Sequence, residues 1–270
     1  MLGRIVFAGI APHPPLLVPE VGGSRIERVA DSRRALRDFS RRVVRTSPET
    51  VIVISPHSPL DPRVFTARST PELAGDFREF LAPAVRLTFP NDLEMIEAIK
   101  QSAKPGGVEL HALDREYSLD HGALVPLYYL HEAGWRGPTV VIGFTLQSNA
   151  KHLAFGRAIA AAAAALNRKV ALVASGDLSH RLIVDGPYEF EPTAHLFDEE
   201  VVDAIARGDA RGVLNIDADL RERAGECGYR SIVIALGCVG EKPSASQVLS
   251  YEGPFGVGYM VAVLVDENEP

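Results

Sequence analysis

The chain has 270 residues, of which 46% are hydrophobic and 23% are charged, and its formal net charge is −7 at pH 7. This balance is typical of a globular chain with a sizeable core, and it excludes disordered and fibrous classes. The acidic balance argues against nucleic-acid binding, which requires a clustered basic surface. Two cysteines are too few for a disulfide framework, so we expect a cytoplasmic protein. The most apolar stretch, residues 158–166, is too short to span a bilayer, and no membrane partner is expected.

Three apolar segments each end abruptly at a proline or a glycine. Residues 4–10 are followed by Pro12-His13-Pro14-Pro15, and residues 50–55 by Pro56-His57-Ser58-Pro59. Residues 169–174 are followed by Ser175-Gly176-Asp177-Leu178-Ser179-His180. Short continuous apolar runs of this kind predict strands that are buried on both faces.

Helices alternate with these and further strands along the chain. We predict helices at 25–45, 91–100 with Asn91 as its cap, 120–131, 149–167, 193–207 and 230–239, and a loop region between 208 and 225. Further strands are predicted at 64–67, 84–89, 108–113, 139–144, 246–251 and 257–265. The alternation indicates an α/β sandwich with helices on both faces of the sheet. Since no linker or repeat divides the chain, residues 1–270 are predicted to form a single domain.

His13 and His57 are the best candidates for metal ligands. Each follows an apolar strand, and ligands gather at the carboxyl ends of strands in open α/β sheets. The prolines around each histidine also fix the backbone that presents the imidazole. Two imidazoles and one carboxylate form the facial triad of non-haem Fe(II) oxygenases. A single His-Pro pair would equally suit a structural loop histidine.

Glu226 is the best candidate for the third ligand. It lies in Gly225-Glu226-Cys227-Gly228, before an apolar helix, where a metal would offset the cost of burying a carboxylate. The alternative is that Glu226 caps the following helix, since acidic residues favour helix N-termini. Cys227 is a rival ligand, although a cysteine beside an apolar helix is more often inert core.

His180 and His121 are candidate acid/base residues. Asp177 precedes His180 by three residues and is expected to orient its ring. His121 lies in Asp120-His121-Gly122, where it either participates in catalysis or simply caps a helix or bonds Asp120. The other four histidines, His111, His131, His152 and His195, are expected to be structural or surface residues.

These motifs, in this order and over nearly the whole chain, resemble the catalytic-subunit family of LigB-type class III extradiol dioxygenases. The most similar branch comprises the Memo-like and AmmeMemoRadiSam-associated relatives. The resemblance implies a central mixed β-sheet flanked by helices. It implies Fe(II) held by His13, His57 and Glu226, with His180 and His121 as acid/base residues. It further implies cleavage of a catechol-type ring by O2, at the carbon-carbon bond adjacent to the two hydroxyl-bearing carbons.

The chain also departs from this pattern. Cys227 falls where Memo-like proteins have a His/His/Cys arrangement, and a thiolate favours zinc or copper over Fe(II). The alternative functions are therefore a zinc-dependent hydrolase or lyase on the same site, and a Memo-like metal-binding protein without catechol turnover. The resemblance allows a small partner subunit, and a homodimer is the default assembly. Five aromatic residues either line a ring-shaped pocket or belong to ordinary packing: Tyr117, Tyr188, Phe190, Tyr229 and Phe255.

Overall fold

Residues 4–114, 118–240 and 243–269 are described by the computed structural model, and they contain ten β-strands and nine α-helices. The strands are β1 (Arg4–Ala11), β2 (Thr50–Ser55), β3 (Phe65–Arg68), β4 (Glu72–Phe77), β5 (Ala82–Pro90), β6 (Leu110–Leu113), β7 (Thr139–Gly143), β8 (Lys169–Ser175), β9 (Gln247–Glu252) and β10 (Tyr259–Asp266). The helices are α1 (Pro19–Gly22), α2 (Ala30–Arg45), α3 (Leu93–Ala103), α4 (His121–Glu132), α5 (Asn149–Ala165), α6 (Ala194–Ala206), α7 (Ala210–Leu214), α8 (Ala218–Ala224) and α9 (Tyr229–Val239).

Eight of the strands form one sheet in the order β6-β3-β7-β2-β8-β1-β10-β9. The four central strands, β7, β2, β8 and β1, are parallel, whereas β10 pairs antiparallel with β1 and with β9. β3 pairs antiparallel with β7 and parallel with β6. The central strands are buried along their length because helices cover both faces of the sheet. The predicted α/β architecture with a central mixed sheet is therefore confirmed.

The two faces of the sheet bury separate apolar cores. One core contains side chains of α3, α5, α6 and α9, and the other contains side chains of α2 and α4. α2 is amphipathic, as the sequence predicts, with Leu36 and Phe39 buried and four of its arginines exposed: Arg34, Arg37, Arg41 and Arg45. None of the helices in the described ranges combines the length and apolar character that crossing a membrane requires.

The sequence-based prediction was wrong at three places. It missed β4, which pairs with β5 as a separate two-stranded sheet. Leu73 and Phe77 of β4 are buried, but Gly75 and Asp76 interrupt the β-rich composition that signals a strand. The cap of α3 is Asp92, which accepts a hydrogen bond from the backbone of Met95, and not Asn91. The predicted loop between 208 and 225 contains the short helices α7 and α8.

Two glycines let α5 and α9 pack in direct backbone contact. A Cβ on Gly156 of α5 would lie 2.1 Å from the carbonyl oxygen of Ile234, and one on Gly237 of α9 would lie 2.4 Å from that of Leu153. Since the loop at 225–228 leads directly into α9, this helix contact fixes where that loop meets the sheet.

We therefore expect Gly156→Ala to lower the free energy of unfolding by about 1–3 kcal/mol, the usual cost of overpacking a filled core. Helix propensity alone would predict a gain of about 1 kcal/mol for the same change. The measurement is urea-induced unfolding followed by circular dichroism. Ala161→Gly, at an exposed position of α5, is the matched control and reports the propensity effect alone. A Gly156→Ala protein as stable as the wild type would contradict the close packing.

Candidate metal centre

The candidate site lies at the carboxyl ends of three neighbouring parallel strands. β2, β8 and β1 are adjacent in the sheet, so the loops that follow them emerge side by side. His13 is the second residue after β1 and His57 is the second residue after β2. The loop after β8 begins at Gly176 and carries Asp177 and His180. The sequence-based expectation that these loops converge is confirmed.

Three side chains whose atoms could bind a metal converge there: His13, His57 and Cys227. Their ligand atoms all lie within 4.8 Å of one another. The Nε2 atoms of His13 and His57 are 3.0 Å apart, and Sγ of Cys227 is 3.6 Å from Nε2 of His13. His13 is buried at 1% exposure and Cys227 is half-buried, whereas His57 is exposed, so the cluster is open to solvent on the His57 side.

The hydrogen bonds around His13 leave its Nε2 lone pair directed at the cluster. Nδ1 of His13 lies 2.9 Å from Oγ of Ser175. The Ser175 hydroxyl donates its one proton to the carbonyl oxygen of Gly122, so it accepts a hydrogen bond from Nδ1–H of His13. A histidine fixed in this tautomer by a neighbouring acceptor is the usual arrangement of a metal ligand. Two imidazoles and a thiol thus form a donor set that fits a divalent metal.

Asp177 connects the His13 loop with the Cys227 loop, although we expected it to orient His180. Its Oδ1 accepts the backbone N–H of His13 at 2.9 Å, and Oδ2 lies 3.8 Å from Nε2 of the same residue. Its own N–H is 3.4 Å from Sγ of Cys227, and its carbonyl accepts the N–H of Gly228 at 2.9 Å. Burial raises the pKa of Asp177 to about 7 and raises the pKa of the Cys227 thiol well above its ordinary value.

Glu226, the predicted third ligand, does not lie in this cluster. Its carboxylate accepts the backbone N–H of Tyr229 at 2.7 Å, at the first residue of α9. This is the capping role that the sequence left open, and it satisfies an N–H group that has no partner within the helix. Burial raises the pKa of the Glu226 carboxyl. Cys227, the neighbouring residue, occupies the third position of the cluster instead.

His121 and His180 flank the cluster. The ring of His121 stacks on that of His57, with centroids 4.1 Å apart, and it meets the edge of Phe80 at 5.4 Å. Burial, and secondarily the nearby His57, lower the pKa values of His121 and His180 to about 4. Nδ1 of His180 is buried and has no hydrogen-bond partner within the described ranges. Both rings are therefore neutral near pH 7 and available to accept a proton.

Asp120 fixes the position of His121 relative to the His57 loop. Its carboxylate accepts hydrogen bonds from the hydroxyls of Ser55 and Ser58 and from the backbone of Ala123, which makes it the N-cap of α4. Because β2 and α4 are joined in this way, the stacked pair of His57 and His121 has a rigid support.

A cavity of about 890 Å³ opens beside the cluster. His57 and His121 line one end of it, and the β4–β5 hairpin forms the opposite wall. The remaining lining residues include Ala74, Asp76, Arg78, Phe80, Arg86, Leu119 and Leu124. His57 of the donor set therefore faces a space large enough for an organic substrate.

The aromatic residues proposed as pocket walls have other surroundings. Tyr229 is fully buried, and its hydroxyl accepts a hydrogen bond from Asn149. Phe255 packs under the guanidinium of Arg28, Phe190 is exposed, and Tyr188 contacts the His180 ring edge-on at 5.1 Å. Tyr117 lies outside the described residues. The aromatic residue that does line the cavity, Phe80, was missed because the hairpin that carries it was not recognised in the sequence.

Comparison with known proteins gives a family and a fold. The family described as "Catalytic LigB subunit of aromatic ring-opening dioxygenase" matches residues 8–262. A Clostridium acetobutylicum protein, CA_C1420, is 33% identical over 263 residues, which are 94% of this chain and 56% of that protein. The 2,3-dihydroxyphenylpropionate/2,3-dihydroxicinnamic acid 1,2-dioxygenase of Mycolicibacterium smegmatis is 26% identical over 181 residues, 62% of this chain and 54% of that enzyme. The chain thus spans about half the length of these curated relatives.

A solved structure shares the fold. The crystal structure of the uncharacterized protein JW3007 from Escherichia coli K12 superposes with a TM-score of 0.62 at 16% identity, covering 96% of this chain and 99% of the other. At this identity the similarity shows the fold alone.

Asp198 of α6 supports the loop that carries His180. Its Oδ1 accepts the backbone N–H of Ser179 at 2.8 Å, and its Oδ2 accepts the hydroxyl of Tyr251 at 2.6 Å. Burial, opposed by these two hydrogen bonds, raises its pKa from 3.8 to about 7. Below pH 3.8 the carboxyl is protonated in both states, whereas between 3.8 and 7 only the unfolded chain releases the proton. The stability that Asp198 contributes is therefore lost as the pH rises through this interval.

As the pH rises from 4 to 7, we expect the free energy of unfolding of Asp198→Asn to increase relative to that of the wild type. The upper bound of the change is about 4 kcal/mol, because one pKa unit corresponds to about 1.4 kcal/mol. Urea unfolding at pH 5 and pH 8 measures it. Asp203→Asn, an exposed position on the same helix, is the control and should show no such trend. A difference between Asp198→Asn and wild type that does not change with pH would contradict the raised pKa.

Proposed function

The chain belongs to the family of catalytic LigB subunits of aromatic ring-opening dioxygenases, and we propose that it is a non-haem Fe(II) extradiol dioxygenase that opens a catechol-type ring with O2. One observation carries the proposal. His57, which belongs to the cluster of His13, His57 and Cys227, lines the cavity together with the neutral His121. The relative from M. smegmatis, which is named for cleaving dihydroxyphenyl substrates, supports the same reaction class.

We propose that His13, His57 and Cys227 hold the metal. Cys227 replaces Glu226 in this proposal because its sulfur faces His13, whereas the Glu226 carboxylate is engaged at the start of α9. A bound metal would supply a Lewis-acidic centre that holds the two oxygens of the diol next to O2. A nearby cation would also favour the Cys227 thiolate, whose pKa burial otherwise raises.

The two flanking histidines would then handle protons. His180 has an unpartnered Nδ1, and its lowered pKa keeps the ring neutral at pH 7, so a ring lone pair is free to accept a hydroxyl proton of the diol. His121, stacked on His57 at the cavity end, would act on the ring from the other side. In the overall reaction both oxygen atoms of O2 enter the product, and the ring opens at the carbon-carbon bond next to the two hydroxyl-bearing carbons.

A second candidate follows from the thiol. Sulfur ligands favour zinc or copper over Fe(II), so the same cluster suits a zinc-dependent hydrolase or lyase, or a Memo-like metal-binding protein without catechol turnover. The cytoplasmic location, the homodimer and the small partner subunit stay predictions.

Substitution of Glu226 and of Cys227 shows which of these two neighbouring residues is the third metal ligand. We expect Cys227→Ala to weaken metal binding at least about tenfold, since it removes a direct ligand. Glu226→Ala should keep the metal and lower the free energy of unfolding by about 0.5–2 kcal/mol, the usual cost of a lost helix cap. Metal content is measured by mass spectrometry after loading with Fe(II) or Zn(II) without oxygen.

Cys238→Ala is the matched control, because Cys238 is a buried core cysteine of α9 outside the cluster. If Cys227→Ala still binds the metal and a folded Glu226→Ala does not, Glu226 is the third ligand.

Activity tests the metal and the reaction together. With Fe(II) bound, addition of catechols under nitrogen should give a spectroscopic binding signal, and admission of O2 a yellow ring-opened product with stoichiometric O2 consumption. His180→Gln and His121→Gln should keep the metal. Each should lower the turnover rate by a factor of about 10²–10⁴, the typical contribution of a general acid or base. His195→Gln, at an exposed position of α6, should turn over normally. Zinc or copper in the purified protein without any response to catechols would favour the second candidate.

A further inference from the structure

The β4–β5 hairpin presents a polar face to the cavity beside the metal centre. Its antiparallel register pairs Asp76 with Arg86, Ala74 with Thr88 and Glu72 with Pro90, so these side chains share one face of the two strands. Ala74, Asp76, Glu72 and Arg86 of this face line the cavity. The opposite face packs into the core through Leu73, Phe77, Leu87 and Phe89.

The charge of Arg78 on this wall is already neutralised. Its Nε and Nη2 both donate to the carboxylate of Asp76, at 2.8 and 2.7 Å, and its backbone N–H donates to the same group. These hydrogen bonds lower the pKa of Asp76 to about 2, so the carboxylate stays ionised at neutral pH. Asp76 and Arg78 thus form a closed pair within the wall.

Arg86 lies directly opposite Asp76, and its charge, after that of Arg78, also lowers the pKa of Asp76, but it does not share the hydrogen bonds of this pair. Its side chain is exposed on the cavity wall, and among residues 4–114, 118–240 and 243–269 no ion pair is recorded for it. The acids nearest in the lining are Glu79 at the hairpin tip and Glu72, which is four residues along β4 from Asp76 and hence about 13 Å away. Arg86 is therefore the guanidinium of this wall that a ligand can engage.

The volume of the cavity indicates how large a ligand it can hold. Pockets of about 300–1,000 Å³ hold drug-sized molecules, and this cavity of about 890 Å³ lies near the upper end of that range. A single diol ring beside His57 and His121 would leave most of it empty. The cavity therefore has room for a substituent that extends from the ring along the hairpin.

We propose that Arg86 is a specificity-determining residue that binds a carboxylate on this substituent. A guanidinium binds a carboxylate through two parallel hydrogen bonds, which fixes the direction of the ligand as well as adding affinity. The ring then lies at the histidine end, near Phe80, while the acidic end lies against Arg86. This inference rests on the proposed function, because it assigns the substrate class of the same site.

Three matched probes test it by equilibrium binding to the metal-loaded protein without oxygen. The probes are 3-(2,3-dihydroxyphenyl)propionate, 3-propylcatechol, which lacks the carboxylate, and 3-phenylpropionate, which lacks the diol. We expect the wild type to bind the first about tenfold more tightly than the second, the usual scale for one charge-assisted contact. Raising the salt concentration should reduce this preference, because the contact is exposed.

Arg86→Gln should abolish the preference and leave the affinity for 3-propylcatechol unchanged, while Arg86→Lys should retain part of it. Glu72→Gln should modestly increase the affinity for the propionate, because it removes a negative charge from the same wall. Arg34→Gln, on the exposed surface of α2 outside the cavity, is the control and should behave as wild type.

The outcomes separate this inference from the proposed function. An unchanged preference in Arg86→Gln would overturn the role of Arg86, and so would equal affinity of the wild type for the two catechols. If 3-phenylpropionate binds as tightly as its dihydroxy analogue and depends on Arg86, the carboxylate site stands and the diol function fails. If none of the three probes binds the wild type, both fail.

Discussion

The candidate site depends on one close backbone contact, between the loop after β8 and the loop before α9. Gly176 and Gly228 meet so closely that a Cβ on Gly176 would lie 2.1 Å from Cα of Gly228. The carbonyl of Asp177 accepts the N–H of Gly228 across this contact, which carries Cys227 towards His13. Any side chain at either glycine would separate the two loops, and the sulfur would then move away from the imidazoles.

Burial of this cluster explains its electrostatics. The pKa values of His121 and His180 are lowered, and those of Asp177 and Cys227 are raised, all chiefly by desolvation. At pH 7 the rings of His121 and His180 and the thiol of Cys227 are thus neutral, and the carboxyl of Asp177 is about half protonated. A divalent cation at the centre would reverse this preference for the anionic groups nearest to it, so metal binding would release protons and would become stronger as the pH rises.

The sequence predicts some parts of this architecture well, for physical reasons. The buried parallel strands and the converging loops with His13 and His57 were predictable because apolar runs broken by prolines are local signals. The choice between Glu226 and Cys227 was not predictable from the sequence. It depends on which of these two adjacent side chains faces His13 at the end of β1, and only the packing of α9 decides that. The β4–β5 hairpin was missed for a related reason: Gly75 fits there because it packs against Leu119, which is distant in sequence.

The two ends of the cavity are therefore subject to different constraints. The histidine end is formed by the loops at the carboxyl ends of three central strands and by the first residues of α4 and the loop before α9. Small changes there disturb several buried contacts at once. The hairpin wall is exposed, and its polar face is supported by an apolar face that packs independently of it. Substitutions on the polar face alter what the cavity binds at little cost to stability. Under the proposed function, a fold built in this way would keep its metal chemistry while its substrate changes through the β4–β5 hairpin.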